Sequence, residues 1–111
     1  MLKVSIIVPC YNEVKYISQC LDSIIGNDFP KENLEILIYD GGSSDGTLEI
    51  IKKYEKEHPF LKIRNNPKKI KSVAMNLGIK EARGDIIIRM DAHTIYDSRY
   101  ISQIVALLTT T

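Results

Sequence analysis

Short apolar runs along the chain alternate with longer stretches whose apolar positions recur at helical spacing. The run Val4–Val8 is mostly β-branched and predicts a strand covered on both faces, which Pro9 should end. From Glu13 the period changes to that of a helix, with Gly26 as a plausible stop. The apolar face of this first helix is Ile17, Leu21, Ile24 and Ile25.

The same pattern repeats three times. Further strands are predicted at residues 34–39, 61–64 and 85–89. The helix after the second strand has Leu48, Ile51 and Tyr54 on its apolar face and should end at His58–Pro59. The helix after the third strand spans Ser72–Ala82, with Val73 and Leu77 on its apolar face and Gly84 as C′ residue. The last helix has Ile101, Ile104, Val105 and Leu108 on its apolar face. Four strand–helix units predict an α/β fold, a Rossmann-like parallel sheet with helices on both faces. Ligands of such sheets bind at the carboxyl ends of the strands.

Length and charge limit the class of protein. The 111 residues fit one domain, and 15 basic against 14 acidic residues leave a net charge of +1. This balance argues against a nucleic-acid partner, which would favour a basic excess. The one basic cluster, Lys68, Lys69 and Lys71, is large enough to meet a single phosphate group.

Cysteine usage and hydropathy indicate a compartment. Cys10 and Cys20 are ten residues apart without a CxxC spacing, so we interpret both as free thiols in a reducing environment. No signal peptide is apparent, and the longest apolar runs of about five residues fall short of the ~20 needed to cross a bilayer. We expect a cytoplasmic protein, at the inner face of a membrane if a longer chain is anchored there.

Polar residues with two readings follow the first and second strands. Tyr11 offers a ring on which a base could stack, while Asn12 and Glu13 could equally be an N-cap and a residue that complements the helix dipole. Asp40 begins the loop Asp40–Gly46, where its carboxylate could accept from a base or ribose. Ser44 or Asp45 in that loop could instead simply cap the next helix. Neither GxGxxG nor GxxxxGK[ST] is present.

A third group follows the fourth strand. Asp91 and His93 are two apart, so in an extended segment both side chains would point the same way. They would then offer an oxygen and a nitrogen ligand to a divalent cation. The alternative is that Asp91 caps a turn and His93 is an exposed polar residue.

The order of these motifs resembles glycosyltransferase family 2 over essentially the whole chain. The matching segments are Ser5-Ile6-Ile7-Val8-Pro9-Cys10-Tyr11-Asn12-Glu13, Asp40-Gly41-Gly42-Ser43-Ser44-Asp45-Gly46-Thr47, Ser72-Val73-Ala74-Met75-Asn76-Leu77-Gly78-Ile79 with Ala82-Arg83-Gly84-Asp85, and Met90-Asp91-Ala92-His93 at the DxD position. The D-A-H variant is similar to members of the succinoglycan, exopolysaccharide-biosynthesis type. A flavodoxin-like protein would share the strand–helix alternation but not the Asp91–His93 pair.

The resemblance implies the GT-A fold and a set of residue roles. The nucleotide site would comprise Pro9, Tyr11, Glu13, Asp40, Lys71 and Asp91, and the metal ligands would be Asp91 and His93. The cation would be Mn²⁺ or Mg²⁺, and an imidazole at residue 93 suits Mn²⁺ better. The implied activity is inverting transfer from a nucleotide sugar, most typically a UDP-sugar, to a glycan or lipid-linked acceptor.

The resemblance also implies a division of labour. Residues 1–111 would be the nucleotide-sugar-binding domain, truncated before the acceptor-binding half, and the catalytic base would lie beyond Thr111. We therefore expect this fragment alone to be inactive, and to self-associate through an exposed sheet edge. The alternative function is a nucleotide-binding or regulatory module that retains only the donor pocket.

Overall fold

Four strands and four α-helices make up residues 2–110, the part of the chain that this computed structural model describes. The strands are β1 (Val4–Cys10), β2 (Leu34–Asp40), β3 (Leu61–Asn65) and β4 (Ile86–Arg89). The α-helices are α1 (Ile17–Ile25), α2 (Thr47–Glu57), α3 (Lys71–Glu81) and α4 (Tyr100–Thr109), and a short 3-10 turn spans Lys31–Asn33. The alternation follows the predicted order.

The strands form one parallel sheet in the order β3-β2-β1-β4. β1 lies in the interior of the sheet and all seven of its residues are buried. This burial explains its apolar run, because a parallel strand between two neighbours is covered on both faces. The prediction of a Rossmann-like parallel sheet is confirmed.

Helices cover both faces of the sheet, as predicted. On one face α1, α2 and α4 pack on β1 and β2 through a large apolar core. On the other face α3 packs alone, with Ala74 against Ile7, Leu37 and Tyr39. Full burial of such aliphatic side chains stabilises the fold by about 1.5–3 kcal/mol each. α4 carries the predicted apolar stripe; its Ile101 is fully buried, whereas Leu108 at the other end is 59% exposed.

Two local predictions in this part of the chain are wrong. Pro9 does not end β1, because the strand continues to Cys10. The pairing of β1 with β4 ends at Ile7, so the N–H that Pro9 lacks is not needed for hydrogen bonds between these two strands. Gly84 is not the C′ residue of α3, because the helix is capped by Ala82. A Cβ at residue 84 would lie 2.6 Å from the backbone nitrogen of Ser5, so glycine is needed here for close approach to β1.

A polar link ties α3 to two strands. The carboxylate of Glu81 accepts hydrogen bonds from the Tyr39 hydroxyl and from Arg64 Nε. Burial pushes the pKa of Glu81 upward, but these hydrogen bonds outweigh it and hold the pKa below its usual value. Burial and the same hydrogen bond raise the pKa of Tyr39. Between residues 2 and 110 no helix is both long and apolar enough to span a membrane.

Candidate functional site

Polar residues from all four strand ends meet at the carboxyl edge of the sheet. Tyr11 follows β1, Asp40 ends β2, Asn66 follows β3 and Asp91 follows β4 closely. Parallel strands end at one edge, so the three predicted residues Tyr11, Asp40 and Asp91 share it. Asn66 obeys the same rule, and applying that rule to the third strand would have found it.

A cleft of about 260 Å³ opens at this edge. Its lining consists of Pro9, Cys10, Tyr11, Glu13, Asn66, Lys69, Lys71, Ala92 and His93. Five predicted site residues are among them, at positions 9, 11, 13, 71 and 93. Asp40 and Asp91 are not in the lining, whereas Cys10, Asn66, Lys69 and Ala92 were not predicted.

Asp40 is 4% exposed and its carboxylate holds its own loop. Oδ2 accepts from the backbone N–H groups of Gly42 and Ser43, both at 3.0 Å, and Oδ1 accepts from Ser43 Oγ at 2.6 Å. A carboxylate has about four acceptor positions, so three are already used. The immediate role of Asp40 in the fold is to shape the glycine-rich loop.

The segment after β1 is fastened to the loop after β2. Four hydrogen bonds join them: Asn12 N to Ser43 Oγ (2.9 Å), Ser44 N to Asn12 Oδ1 (2.8 Å), Glu13 N to Thr47 Oγ1 (2.9 Å) and Val14 N to Asp45 Oδ2 (3.3 Å). The backbone of Asn12 has φ +51°, a left-handed conformation that asparagine tolerates. These contacts hold the segment that carries Tyr11 against the loop that follows β2.

The predicted helix caps are therefore wrong. Asn12 does not cap α1, and Glu13 is not in its first turn, because α1 begins at Ile17 after the N-cap residue Tyr16. Neither Ser44 nor Asp45 is the N-cap of α2, which is Gly46 with φ +102°. Asn12 Oδ1 and Asp45 Oδ2 instead accept hydrogen bonds across the two loops, and Ser44 contributes its backbone N–H to them.

Asp45 supports the start of α2 from just outside the helix. Its Oδ1 accepts from the backbone N–H of Thr47 at 3.1 Å and from the Thr47 hydroxyl. The hydrogen bond from the Thr47 hydroxyl lowers the pKa of Asp45; desolvation opposes this, and backbone hydrogen bonds add to the lowering. The carboxylate is thus ionised and fixed in place at neutral pH.

Asp91 and His93 lie in a turn, so the expectation of an extended segment with parallel side chains is wrong. Asp91 Oδ1 pairs with Arg89 Nη2 at 3.1 Å, and His93 Nδ1 lies 2.9 Å from Glu13 Oε2. The turn is anchored by the backbone of Asp91, whose N–H donates to the Tyr96 hydroxyl at 2.6 Å. Because Nδ1 is engaged, Nε2 is the nitrogen of His93 left for a ligand.

This donor set can be compared with the needs of a cation. Within residues 2–110 no group of three or more His, Cys, Asp or Glu side chains is placed to hold a metal. One imidazole and one carboxylate still fit a cation whose other ligands are phosphate oxygens and water, the usual arrangement for Mg²⁺ and Mn²⁺ with nucleotides. The carboxylate of Glu13 would then orient His93 from behind.

Positive groups lie on the side of the cleft formed by the β3–α3 loop. Lys71 is the first residue of α3, so the positive end of the helix dipole is also at the cleft. Lys69 Nζ lies 4.8 Å from the centroid of the Tyr11 ring and 3.5 Å from its hydroxyl. Lys68 is exposed and outside the lining, so the basic cluster of the sequence is split by the fold.

Asn66 carries an unsatisfied polar atom at the cleft. The residue is 3% exposed, its N–H donates to the Asp40 carbonyl at 2.8 Å, and Nδ2 donates to the Ile70 carbonyl at 3.0 Å. Among buried side chains of the described residues, Oδ1 of Asn66 is the polar atom without a hydrogen-bond partner. Such an atom is costly to bury unless a ligand supplies a donor.

The two cysteines are free and buried, as predicted for reduced thiols. Burial raises the pKa of Cys10, helped by the negative charges of Asp40 and Glu13, and raises that of Cys20 to about 11. Cys20 donates its thiol to the carbonyl of Asp91 at 3.1 Å. Neither sulfur is therefore placed as a thiolate nucleophile.

Comparison with known proteins identifies the family of the chain. A family model described as "Glycosyl transferase family 2" matches residues 5–111. The chain is 46% identical over 100 residues to a dolichyl N-acetyl-alpha-D-glucosaminyl phosphate 3-beta-D-2,3-diacetamido-2,3-dideoxy-beta-D-glucuronosyltransferase of Methanococcus voltae, covering 88% of this chain and 31% of that protein. It is 37% identical over 102 residues to the succinoglycan biosynthesis protein ExoA of Rhizobium meliloti, covering 90% and 31%.

Solved structures share the fold. The mannosyltransferase PcManGT of Pyrobaculum calidifontis, in complex with GDP-Man and Mn²⁺, superposes with a TM-score of 0.90 at 29% identity, over 97% of this chain and 32% of that one. TarS 1-349 of S. aureus in complex with UDP-GlcNAc superposes with a TM-score of 0.81 at 30% identity, over 96% and 31%. The fold is thus that of GT-A glycosyltransferases, and the chain spans about a third of the length of the two curated relatives named above. The chain belongs to glycosyl transferase family 2.

Proposed function

We propose that the cleft binds the nucleoside diphosphate of a UDP-sugar, and that the protein takes part in inverting transfer of that sugar to a glycan or lipid-linked acceptor. The observation that carries the proposal is the cleft itself, which combines an exposed aromatic ring, two lysines and an imidazole. These groups match a base, a diphosphate and a cation respectively. The UDP-GlcNAc complex of TarS, a protein of similar fold, supports uridine as the nucleoside.

The base and ribose would lie between Tyr11 and Pro9. Tyr11 is 43% exposed and offers its ring for stacking, which contributes about 1–3 kcal/mol per base in other proteins. Asn66 Oδ1 would accept from an N–H of the base, which would satisfy its missing hydrogen bond. Asp40, predicted to contact the base, would do so through its one remaining acceptor position or through the loop that it shapes.

The diphosphate would lie toward the start of α3. Lys71 and the positive end of the helix dipole would offset the charge that grows on the departing diphosphate, which is the main electrostatic requirement of glycosyl transfer. Asp91 and His93 would hold a divalent cation, Mn²⁺ or Mg²⁺, and the cation when bound would supply Lewis acidity to the leaving group. Glu13 would keep the His93 ring in position.

Inversion also needs a base that removes the proton of the acceptor hydroxyl on the opposite face of the sugar. Asp97 lies four residues after the proposed metal ligand His93. It is exposed, and its carboxylate contacts Arg99. That position is too close to the metal site for the base. We propose that residues outside 1–111 supply the base and the acceptor surface.

The test is titration calorimetry of UDP, GDP and CDP in the presence of Mn²⁺. Tyr11→Ala should weaken UDP binding about tenfold, as expected for a lost stacking contact. Tyr16→Ala is the matched control, because Tyr16 is 49% exposed and lies outside the cleft lining. UDP affinity equal in both variants, or no preference for UDP over CDP, would contradict the proposal.

A further inference from the structure

The ammonium group of Lys69 lies over the hydroxyl end of the Tyr11 ring. Nζ lies 4.8 Å from the ring centroid, within the range of a cation–π contact, and 3.5 Å from the hydroxyl oxygen. Both side chains line the cleft, so this contact lies at its wall. Part of one ring face on which a base could stack is therefore already covered.

The conformation of the β3–α3 loop holds Lys69 in this position. Its backbone has φ +57°, a left-handed conformation that is unfavourable for lysine and persists only when surrounding contacts impose it. The N–H of Lys69 donates to the carbonyl of Asn66 at 3.2 Å, and Asn66 is in turn bonded to Asp40. The side chain packs on Gly41, where an added Cβ would lie 3.2 Å from Lys69 Cγ. Both Lys68 and Lys69 are exposed, but Lys69 is held against the donor loop and lines the cleft, whereas Lys68 does not line it.

Base and ammonium cannot use the same ring face together. A ligand that stacks on Tyr11 must displace Nζ, which the flexible four-carbon stem of lysine permits. A neutral nucleoside gives the displaced ammonium no new partner, so its binding carries the cost of the lost cation–π contact. A nucleoside diphosphate brings its own negative phosphates to the same cleft and can receive the ammonium in a charge-assisted hydrogen bond.

We propose that Lys69 is a specificity-determining residue that selects nucleoside diphosphates over nucleosides, by exchanging the Tyr11 ring for phosphate when the ligand binds. This inference rests on the proposed function of the cleft. It assigns to Lys69 a role distinct from that of Lys71, which lies at the start of α3. Within residues 2–110, the cation–π contact of the Tyr11 ring is with Lys69 and not with Lys71.

The experiment compares uridine and UDP as ligands, measured by calorimetry without metal and at fixed ionic strength. Lys69→Met keeps the stem that packs on Gly41 and removes the charge. Uridine should bind it about two- to fivefold more tightly than wild type, because no cation–π contact is displaced. UDP should bind it roughly fivefold or more weakly, because a charged hydrogen bond to phosphate is lost.

Two variants serve as controls. Lys68→Met removes a charge one residue away, outside the cleft, and should change both affinities by less than about twofold, since exposed distant charges are screened. Lys69→Arg retains a cation that can cover a ring or bind phosphate, and should keep the wild-type preference for UDP. Far-UV circular dichroism checks that each variant is folded.

The direction in which Lys69→Met changes uridine affinity tests the inference. If Lys69→Met weakens uridine and UDP by the same factor, Lys69 is part of the cleft wall and the inference is overturned while the proposed function stands. If wild-type protein binds neither ligand, the proposed function fails and the inference with it. An NMR measurement gives an independent readout: NOEs between the Lys69 Hε protons and the Tyr11 ring protons should be present in the free protein, and UDP should abolish them. Absence of these NOEs in the free protein would overturn the inference as well.

Discussion

Replacing Asp40 tests whether its carboxylate shapes the donor loop before any nucleotide binds. Asp40→Ala removes the acceptor of three hydrogen bonds, two from backbone N–H groups and one from the Ser43 hydroxyl. Asp40→Asn keeps the size of the side chain. Its amide oxygen can accept from both N–H groups, and its NH₂ can donate to the hydroxyl, which rotates to accept.

The expected magnitudes differ because the contacts differ. Each hydrogen bond to an ionised group contributes about 1 kcal/mol or more, so the alanine variant should lose roughly 3 kcal/mol of unfolding free energy. The asparagine variant retains three neutral hydrogen bonds, which are about half as strong, and should lose about 1.5 kcal/mol. A domain of this size is stable by about 5–15 kcal/mol, so both variants should fold.

The assay is urea denaturation of the nucleotide-free protein, with thermal melting as a second measure. For Asp40→Ala, Tm should fall by roughly 10–20 °C. Glu57→Ala, which removes an exposed carboxylate on α2, is the control and should lie within about 0.5 kcal/mol of wild type. If Asp40→Ala unfolds at the same midpoint as this control, the loop does not depend on Asp40 and its burial needs another explanation.

Four further outcomes are expected. Gly78→Ala places a Cβ 2.6 Å from Ile7 Cδ1 between α3 and β1, so urea denaturation should show a loss of about 1–3 kcal/mol, whereas Asn76→Ala on the exposed side of α3 should show none. The hydrogen bonds that Glu81 accepts lower its pKa in the folded state, so its contribution to the unfolding free energy is present above the usual carboxyl value of about 4.3 and is lost as pH falls through the folded pKa. Between about pH 5 and pH 3, Glu81→Gln should therefore lose less stability than wild type. Equal losses in the two proteins would contradict this. The 111-residue chain incubated with UDP-sugars, Mn²⁺ and a panel of glycan and lipid acceptors should form no glycoside at a rate near that of a full-length relative, because general-base assistance alone contributes about 10²–10⁴-fold. Sedimentation should detect self-association through the β4 edge, where Ile87 is 38% exposed, and Ile87→Lys should abolish it; an unchanged dimer fraction would exclude that edge.

Much of the fold and part of the site could be predicted from the sequence. Apolar periodicity records which backbone segments are buried, and it predicted the parallel sheet, the helices on both faces and the end of α1 at Gly26. The rule that ligands bind at the carboxyl ends of parallel strands directed attention to Tyr11, Asp40 and Asp91. The order of motifs along the chain indicated the family, which the family model confirms.

Helix starts were less predictable for a physical reason. Asn12, Ser44 and Asp45 have side chains that can bond their own backbone or another loop equally well. The local sequence favours a cap at each helix start. The two loops lie side by side at the sheet edge, however, and backbone N–H groups of one loop donate to side-chain oxygens of the other. Competition of this kind is decided by which loops the sheet order brings together.

The sequence by itself determined the succession of strands and helices, the edge at which the site lies, and the kinds of side chain present there. Only the tertiary structure decided the partners within the site. Lys69 and Tyr11 are 58 residues apart and His93 and Glu13 are 80 apart, yet each pair is in contact. Periodicity reports burial within one element, whereas these contacts depend on strand order and on loop conformations that include a left-handed lysine. For that reason the contact of Lys69 with Tyr11 became apparent only when the tertiary structure brought the two loops together.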